Sequence, residues 1–281
     1  MIYRGWNGDK WLLTTQPEHG RIAGIIAAGW NFGLSKPRDE VLLAITRHDD
    51  GWKGADAAPE VTSDGRPVSF HEKDAVDRLE IWSRSVRQLY EDRKFYAARL
   101  VAAHVTYHAR NSLDNAKLSP RAAVAVGNFI GEMTRLTQKC MVADQGRQTA
   151  VREILAKDPS ATPTPEPDDF ESDLRFLQIC DLLSLILCGD FAGETTIPNV
   201  PYMHEGTELL VTRRSDKLAV SISPLPFRKN LRDHLSAIII PRRRYESSHE
   251  LREVVQNTKP TTIEFHFGGA TEPSSKVAQA G

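Results

Sequence analysis

Apolar residues recur three or four positions apart through most of the first 190 residues of the chain. That spacing places them on one face of an α-helix, so each such run predicts a helix with a buried side. The helix that starts near residue 119 is expected to contain a break, and the proline-rich residues 158–167 are expected to form a loop. The predicted helices cover about residues 14–30, 36–49, 71–93, 95–110, 119–157 and 170–189.

The pattern changes after residue 190, where short apolar runs alternate with polar turns. Residues 213–217 read as a hairpin loop, and residues 249–257 fit a short helix. Strands are predicted at about residues 208–212, 218–222, 236–240 and 261–267. We therefore expect a mainly α fold with three parts: a helical body over residues 1–190, a small β-rich C-terminal subdomain packed on it over residues 191–269, and a flexible tail over residues 270–281.

Composition is ordinary for a globular protein with a buried core: of the 281 residues, 40% are hydrophobic and 26% are charged. The net charge of -1 gives no overall attraction to nucleic acid or to an anionic membrane. The longest apolar run, residues 182–188, is too short to span a bilayer, and the first residues lack the apolar core of a signal peptide. Three cysteines without a CxxC pair argue against a disulfide framework. We expect a cytoplasmic protein with no membrane partner and no clear nucleic-acid partner; the sequence predicts no oligomeric state.

The adjacent pair His48-Asp49 lies at the end of a predicted helix and is followed by Asp50-Gly51. Neighbouring side chains diverge by about 100° within a helix, but they can converge where the backbone leaves it. Imidazole and carboxylate together suit a divalent iron, manganese, zinc or magnesium ion. The absence of a nearby cysteine argues against a structural zinc site.

Asp181 lies in a helix that is apolar on nearly every side. Burial of an unpaired carboxylate costs several kcal/mol, so this residue requires a partner. A helix–helix salt bridge or a cap would satisfy it, and so would a metal ion. His19 and His104 lie on two further predicted helices and supply imidazoles for the second interpretation.

The order His19, His48-Asp49, His104 and Asp181, with each member on its own helix, resembles the HD-domain metalloprotein superfamily. Short strings also resemble a bacterial family of HD-related proteins that is catalogued as a domain of unknown function. These strings are residues 16–19, 47–52, 103–104, 180–185 and 224–227. The resemblance implies an HD-like helical body that holds one or two divalent metal ions. It implies no established reaction.

Three further positions are open on the sequence. In two-metal HD proteins an additional histidine from the region of His71 binds the second ion, but His71 could equally be a surface histidine near a helix start. His108 follows His104 by four residues and so lies on the same helical face. It fits three roles: an extra metal ligand, a contact to a substrate phosphate, or a solvated or core histidine. Many catalytic HD proteins have a lysine three residues after the aspartate, where this chain has Trp52, with Lys53 one residue later.

The leading functional prediction is a metal-dependent hydrolase that acts on a small phosphate ester or a nucleotide-like molecule. The predicted catalytic residues are Asp50, Lys53 and His108, and either Asp50 or Glu18 would orient the attacking water. The predicted metal ligands are His19, His48, Asp49, His71, His104 and Asp181. That set also suits a di-iron oxygenase or oxidase of a small substrate, with Asp49 as the bridge. A third prediction is a non-catalytic binding or sensing protein that the metal stabilises.

Overall fold

The computed structural model describes residues 1–33, 36–113, 118–155, 169–213 and 218–269. The helices in these ranges are α1 (Gln16–Gly29), α2 (Asp39–Arg47), α3 (Lys53–Ala57), α4 (Ala75–Glu91), α5 (Phe95–Leu113), α6 (Pro120–Leu155), α7 (Phe170–Cys188) and α8 (Ser248–Asn257). The strands are β1 (Ile2–Trp6), β2 (Lys10–Thr14), β3 (Gly193–Ile197), β4 (Leu209–Arg213), β5 (Ala219–Ser223), β6 (Leu231–Pro241) and β7 (Thr261–Gly269).

The strands form one seven-stranded mixed sheet in the order β1-β2-β6-β7-β5-β4-β3. Only the β5–β7 pair is parallel among these described pairings; every other neighbouring pair is antiparallel. The long strand β6 joins the two halves of the sheet, because residues 238–241 pair with β2 while residues 231–237 pair with β7.

The prediction of a mainly α fold with a small β-rich C-terminal subdomain is wrong. The sheet starts at the N-terminus with the β1–β2 hairpin, and the pattern also gave no sign of β3. The sequence does contain a local signal for this hairpin, which the search for helical spacing missed. Asn7-Gly8 is a dipeptide that favours tight hairpin turns. Both residues have positive φ angles, 47° for Asn7 and 82° for Gly8, as such a turn requires.

Most of the helices pack with the sheet in one large apolar core, and a second, smaller cluster that includes Trp11, Ile240 and Leu251 lies under α8. Ile2 of β1, Ile22 of α1, Leu187 of α7 and Phe265 of β7 belong to a single cluster of buried side chains. Helix α1 follows β2 almost directly, and its N-cap Thr15 accepts a hydrogen bond from the backbone N–H of Glu18. The division of the chain at residue 190 stays a prediction, and the predicted tail lies outside the described residues.

The predicted helices agree with the structure in kind and differ at their ends. Helix α6 runs from Pro120 to Leu155 without the expected break, and α5 extends three residues beyond its predicted end at residue 110. His71 lies in a 3-10 turn, Phe70–Glu72, ahead of α4 rather than within that helix. The proline-rich residues 158–167 lie outside the described ranges. Among the described helices, none combines the length and apolar character needed to cross a membrane.

Helices α1 and α2 cross closely because glycine lies at their contact. A Cβ atom added to Gly24 of α1 would lie 2.2 Å from Oγ1 and 3.1 Å from Cβ of Thr46 on α2. Only a residue without a side chain fits at that distance. The close crossing brings His19 of α1 next to His48 at the end of α2, with ring centroids 5.3 Å apart.

Candidate metal centre

A cavity of about 60 Å³ lies among α1, the end of α2, α5 and α7. Each of these elements contributes a polar side chain that points into it. The lining residues are Gln16, His19, His48, Asp49, Trp52, Phe70, Trp82, His104, His108, Asp181 and Leu185. The five predicted ligands other than His71 therefore meet at one place, and all five are buried.

The Asp181 carboxylate lies at the centre of the imidazoles. Its Oδ1 is 2.8 Å from His19 Nε2 and 3.3 Å from His48 Nε2. Its Oδ2 is 3.6 Å from His104 Nε2. Asp181 is thus the point at which α1, α2, α5 and α7 converge.

Asp49 adds a second carboxylate because the backbone leaves the helix at this point. Helix α2 ends at Arg47, and Asp49 has the non-helical angles φ -110° and ψ 16°. Its Oδ2 then lies 3.5 Å from His48 Nε2 and 3.9 Å from His19 Nε2. The next residues make a tight 3-10 turn in which the Gly51 N–H donates to Ser85 Oγ at 2.9 Å.

The rings of His19 and His48 each make a hydrogen bond through Nδ1 and turn Nε2 toward the carboxylates. The Ser184 hydroxyl donates to the Asp181 backbone carbonyl at 2.9 Å, so it accepts from His19 Nδ1–H at 2.7 Å. His48 Nδ1–H donates to the Ile45 carbonyl at 2.8 Å. With the proton of each ring on Nδ1, both Nε2 atoms direct a lone pair at the carboxylates and can bind a metal ion, as in metal-bound histidines. With a proton on His19 Nε2 instead, the 2.8 Å contact with Asp181 is a hydrogen bond.

The charges in the cavity require a cation. Two buried carboxylates carry two negative charges, and neither lysine nor arginine is among the residues that line the cavity. His48 Nε2 is buried without a hydrogen-bond partner of good geometry among the described residues. A buried negative pair without compensation is strongly unfavourable, so either protons on the imidazoles or a metal ion must balance it.

The pKa values follow from this crowding. Burial raises the pKa of Asp181, but the contacts with His19 and His48 outweigh it and hold that pKa well below its usual value. Burial lowers the pKa of His48, but the charge of Asp49 and the contact with Asp181 outweigh it and raise the pKa to about 9. Burial raises the pKa of Asp49. Burial and the neighbouring His108 lower the pKa of His104 well below its usual value.

Two overlapping sets of side chains have ligand atoms close enough to share an ion. His19, His48 and Asp49 form one set, and His48, His104 and Asp181 form the other. Within each set the ligand atoms lie within 4.8 Å of one another. All are nitrogen or oxygen donors, which suits divalent iron, manganese, zinc or magnesium.

Three predicted site residues lie elsewhere. Asp50 pairs with Arg47 at 2.9 Å and with Lys53 at 3.1 Å, and neither Asp50 nor Lys53 is among the cavity-lining residues. His71 is exposed and lines a neighbouring groove. His108 does line the cavity, with its ring centroid 4.6 Å from that of His104.

Some residues that line the cavity or contact its histidines were missed in the sequence, although helical spacing pointed to Gln16 and Ser184. Gln16 precedes His19 by three positions and Ser184 follows Asp181 by three, so each shares the helical face of a predicted ligand. Leu185 has the same signal, because it follows Asp181 by four positions, but Phe70 and Trp82 come from two other elements and have none.

Comparison with known proteins gives a family. A family model described as "Protein of unknown function (DUF3891)" matches residues 1–241, a range that includes every residue of the cavity. No curated protein and no solved structure matches the chain.

Proposed function

We propose that this chain, which belongs to the DUF3891 family, binds a divalent metal ion in the cavity and hydrolyses a small phosphate ester or a nucleotide-like molecule. One observation carries the proposal: two buried carboxylates converge on three buried imidazoles, with no lysine or arginine among the lining residues. A divalent cation neutralises both carboxylates at once and gives the His19 and His48 lone pairs a partner.

The spacing of the ligand atoms suits a common ion. Bonds of about 2.1 Å place two ligand atoms about 3.0 Å apart at a right angle and about 3.4 Å apart at a tetrahedral angle. Three of the separations among His19, His48, Asp49 and Asp181, at 2.8, 3.3 and 3.5 Å, lie close to these values, and the fourth, from Asp49 to His19, is wider at 3.9 Å. His104, at 3.6 Å from Asp181, completes the set or contacts the substrate.

The placement of these residues supports a relationship to the HD-domain metalloproteins. The ligands come from four helical segments in the order His19, His48-Asp49, His104 and Asp181. In such a site a divalent ion lowers the pKa of bound water toward neutrality and offsets the negative charge of a phosphate group. The surrounding side chains then determine how the substrate is held.

His108 and the aromatic wall are the groups placed to hold a substrate. His108 lies beside His104 at the cavity, partly exposed, and its ring is 6.1 Å from that of Trp82. A histidine at that position can donate a hydrogen bond to a phosphate oxygen. Trp52 and Trp82 limit the access of bulk water. Asp50 and Lys53 have no role in the proposed reaction, because they pair with each other and do not line the cavity.

A single-ion hydrolase is preferred over the di-iron oxygenase. The two-iron arrangement used six protein ligands including His71, and His71 lies in the neighbouring groove rather than with the other five. In the non-catalytic alternative, loss of a metal ligand lowers the stability of the fold and there is no activity to lose. An activity screen with a ligand variant therefore separates this alternative from the hydrolase.

The test is a screen of nucleotides and generic phosphate esters with metal-supplemented protein. Wild type is expected to release phosphate, whereas Asp49→Asn is expected to lose activity by a factor of about 100 or more, because the ion loses a charged ligand. Glu80→Gln, which removes an exposed carboxylate on α4, serves as the control and is expected to behave as wild type. If no ester turns over and Asp49→Asn only lowers the melting temperature, the metal site is structural.

A further inference from the structure

A larger groove adjoins the metal cavity. It has a volume of about 350 Å³, compared with about 60 Å³ for the cavity. Two side chains, Phe70 and Leu185, line both spaces and separate one from the other. A group held in the cavity is therefore one side chain away from the groove.

One helix supplies both a metal ligand and part of the groove wall. Asp181 of α7 faces the cavity, while Leu182, Leu185 and Ile186 of the same helix line the groove. Ile2 of β1 adds to this apolar wall, so the groove is bounded by the helical layer and by the edge of the sheet. Leu182 is 40% exposed, so apolar surface is open to solvent at this point of the groove.

The two spaces differ in chemistry as well as in size. The cavity has imidazoles and carboxylates for a charged head group, whereas most of the groove wall is aliphatic or aromatic, with Tyr3, His71 and Asp190 as its ionisable members. The cavity has room for no more than a head group, so the rest of a substrate must extend beyond it, and the groove adjoins it at Phe70 and Leu185. Binding pockets of this size and character typically hold the apolar part of a ligand.

We propose that the groove binds the apolar part of the substrate, so that the substrate class is an amphiphilic phosphate ester with an alkyl or aryl group attached to its phosphate. This inference rests on the proposed function, because it places the phosphate head group at the metal. Leu182 determines specificity in this proposal, because it lines the groove that holds the apolar group and does not line the metal cavity.

The test measures binding of methyl-, butyl- and octylphosphonate, which are non-hydrolysable phosphate analogues, to manganese-loaded protein by calorimetry. For wild type we expect the affinity to rise about two- to threefold per added methylene, somewhat below the value for complete burial because the groove is open. Leu182→Gln is expected to remove most of that dependence on chain length while it leaves the affinity for methylphosphonate unchanged.

Leu210→Gln is the matched control. Leu210 lies on β4 and is 39% exposed, against 40% for Leu182, but it does not line the groove. It is expected to retain the full chain-length dependence. Equal affinity of wild type for methyl- and octylphosphonate would overturn the inference, as would equal effects of the two substitutions.

The outcomes also separate this inference from the proposed function. If methylphosphonate binds only when manganese is present and chain length has no effect, the groove proposal fails and the metal site stands. If wild type does not bind manganese or any of the other candidate metals, the proposed function fails and the groove proposal fails with it.

Discussion

Ser184 is the residue that determines how His19 faces the cavity. Its hydroxyl donates to the Asp181 carbonyl and, in the metal-binding tautomer, accepts from His19 Nδ1–H, which leaves the His19 lone pair on Nε2, 2.8 Å from Asp181 Oδ1. Such a neighbour orients the ring and raises its basicity as a ligand. The serine does not itself lie among the candidate ligands, so its contribution can be tested separately from theirs.

Ser184→Ala is expected to weaken metal binding by about 10- to 100-fold, the usual effect of losing a hydrogen bond to a metal-bound histidine. A chelator competition titration measures this change. Ser83→Ala is the control, because Ser83 is equally a buried serine but lies on α4 and does not line the cavity. Similar losses in the two variants would show that the hydrogen bond to His19 has no special role.

At the residue scale, the sequence predicted those members of the site whose polar side chains would need a partner when buried. His48-Asp49 at a helix end and Asp181 in an apolar helix each need a partner, and the structure brings them together with His19 and His104. His71 could not be placed in this way, because its side chain follows a 3-10 turn whose direction depends on contacts distant in sequence. Lys53 lies outside the cavity for a local reason, because it pairs with Asp50 three residues earlier.

At the scale of elements, the crossing of α1 and α2 determines whether His19 and His48 can share an ion. The two helices approach closely at Gly24 and Thr46, and the Thr46 hydroxyl is held there by its bond to the Leu42 carbonyl at 2.7 Å. A side chain at residue 24 must push the helices apart or displace Thr46. The geometry of the candidate site therefore depends on a helix contact that contains none of its ligands.

Gly24→Ala is expected to lower the free energy of unfolding by about 1–3 kcal/mol, since overpacking outweighs the gain in helix propensity. Urea denaturation measures the change. Gly127→Ala on α6 is the matched control: no atom lies within 4 Å of its added Cβ, so alanine there is expected to stabilise the protein by up to about 1 kcal/mol. A stabilised Gly24→Ala variant would contradict the close crossing.

Elements were predictable to the extent that their signal was local. Each helix repeats apolar positions three or four residues apart over several turns, so the helices were predictable. The alternating strand pattern after residue 190 predicted β4, β5, β6 and β7. The pairing of β2 with the C-terminal half of β6 joins residues more than 200 positions apart and has no local signal. The β1–β2 hairpin was missed although Asn7-Gly8 marked its turn.

At the scale of the whole molecule, the candidate ion would link parts of the chain that are far apart in sequence. His19 and Asp181 are separated by 162 residues, and their helices both pack against the sheet through one shared core. An ion that binds only the folded chain stabilises it by mass action. Loss of the ion should therefore be visible in global unfolding as well as at the site.

Addition of a bound metal at about 100 times its dissociation constant is expected to stabilise the fold by about 2.7 kcal/mol. For a chain of this size that corresponds to a rise in Tm of about 5 °C. Differential scanning calorimetry of chelator-treated and metal-supplemented protein measures it. An unchanged Tm across iron, manganese, zinc and magnesium would count against ligands drawn from four separate helical segments.

The most direct test of the central claim is the metal content of the protein after equilibrium dialysis against each candidate ion, measured by mass spectrometry. We predict roughly one ion per chain for wild type and less than about a tenth of that for Asp181→Asn, which keeps the shape of the side chain and removes its charge. Wild type that retains no metal, or an Asp181→Asn variant that retains as much as wild type, would show that the buried histidines and aspartates balance their charge with protons instead.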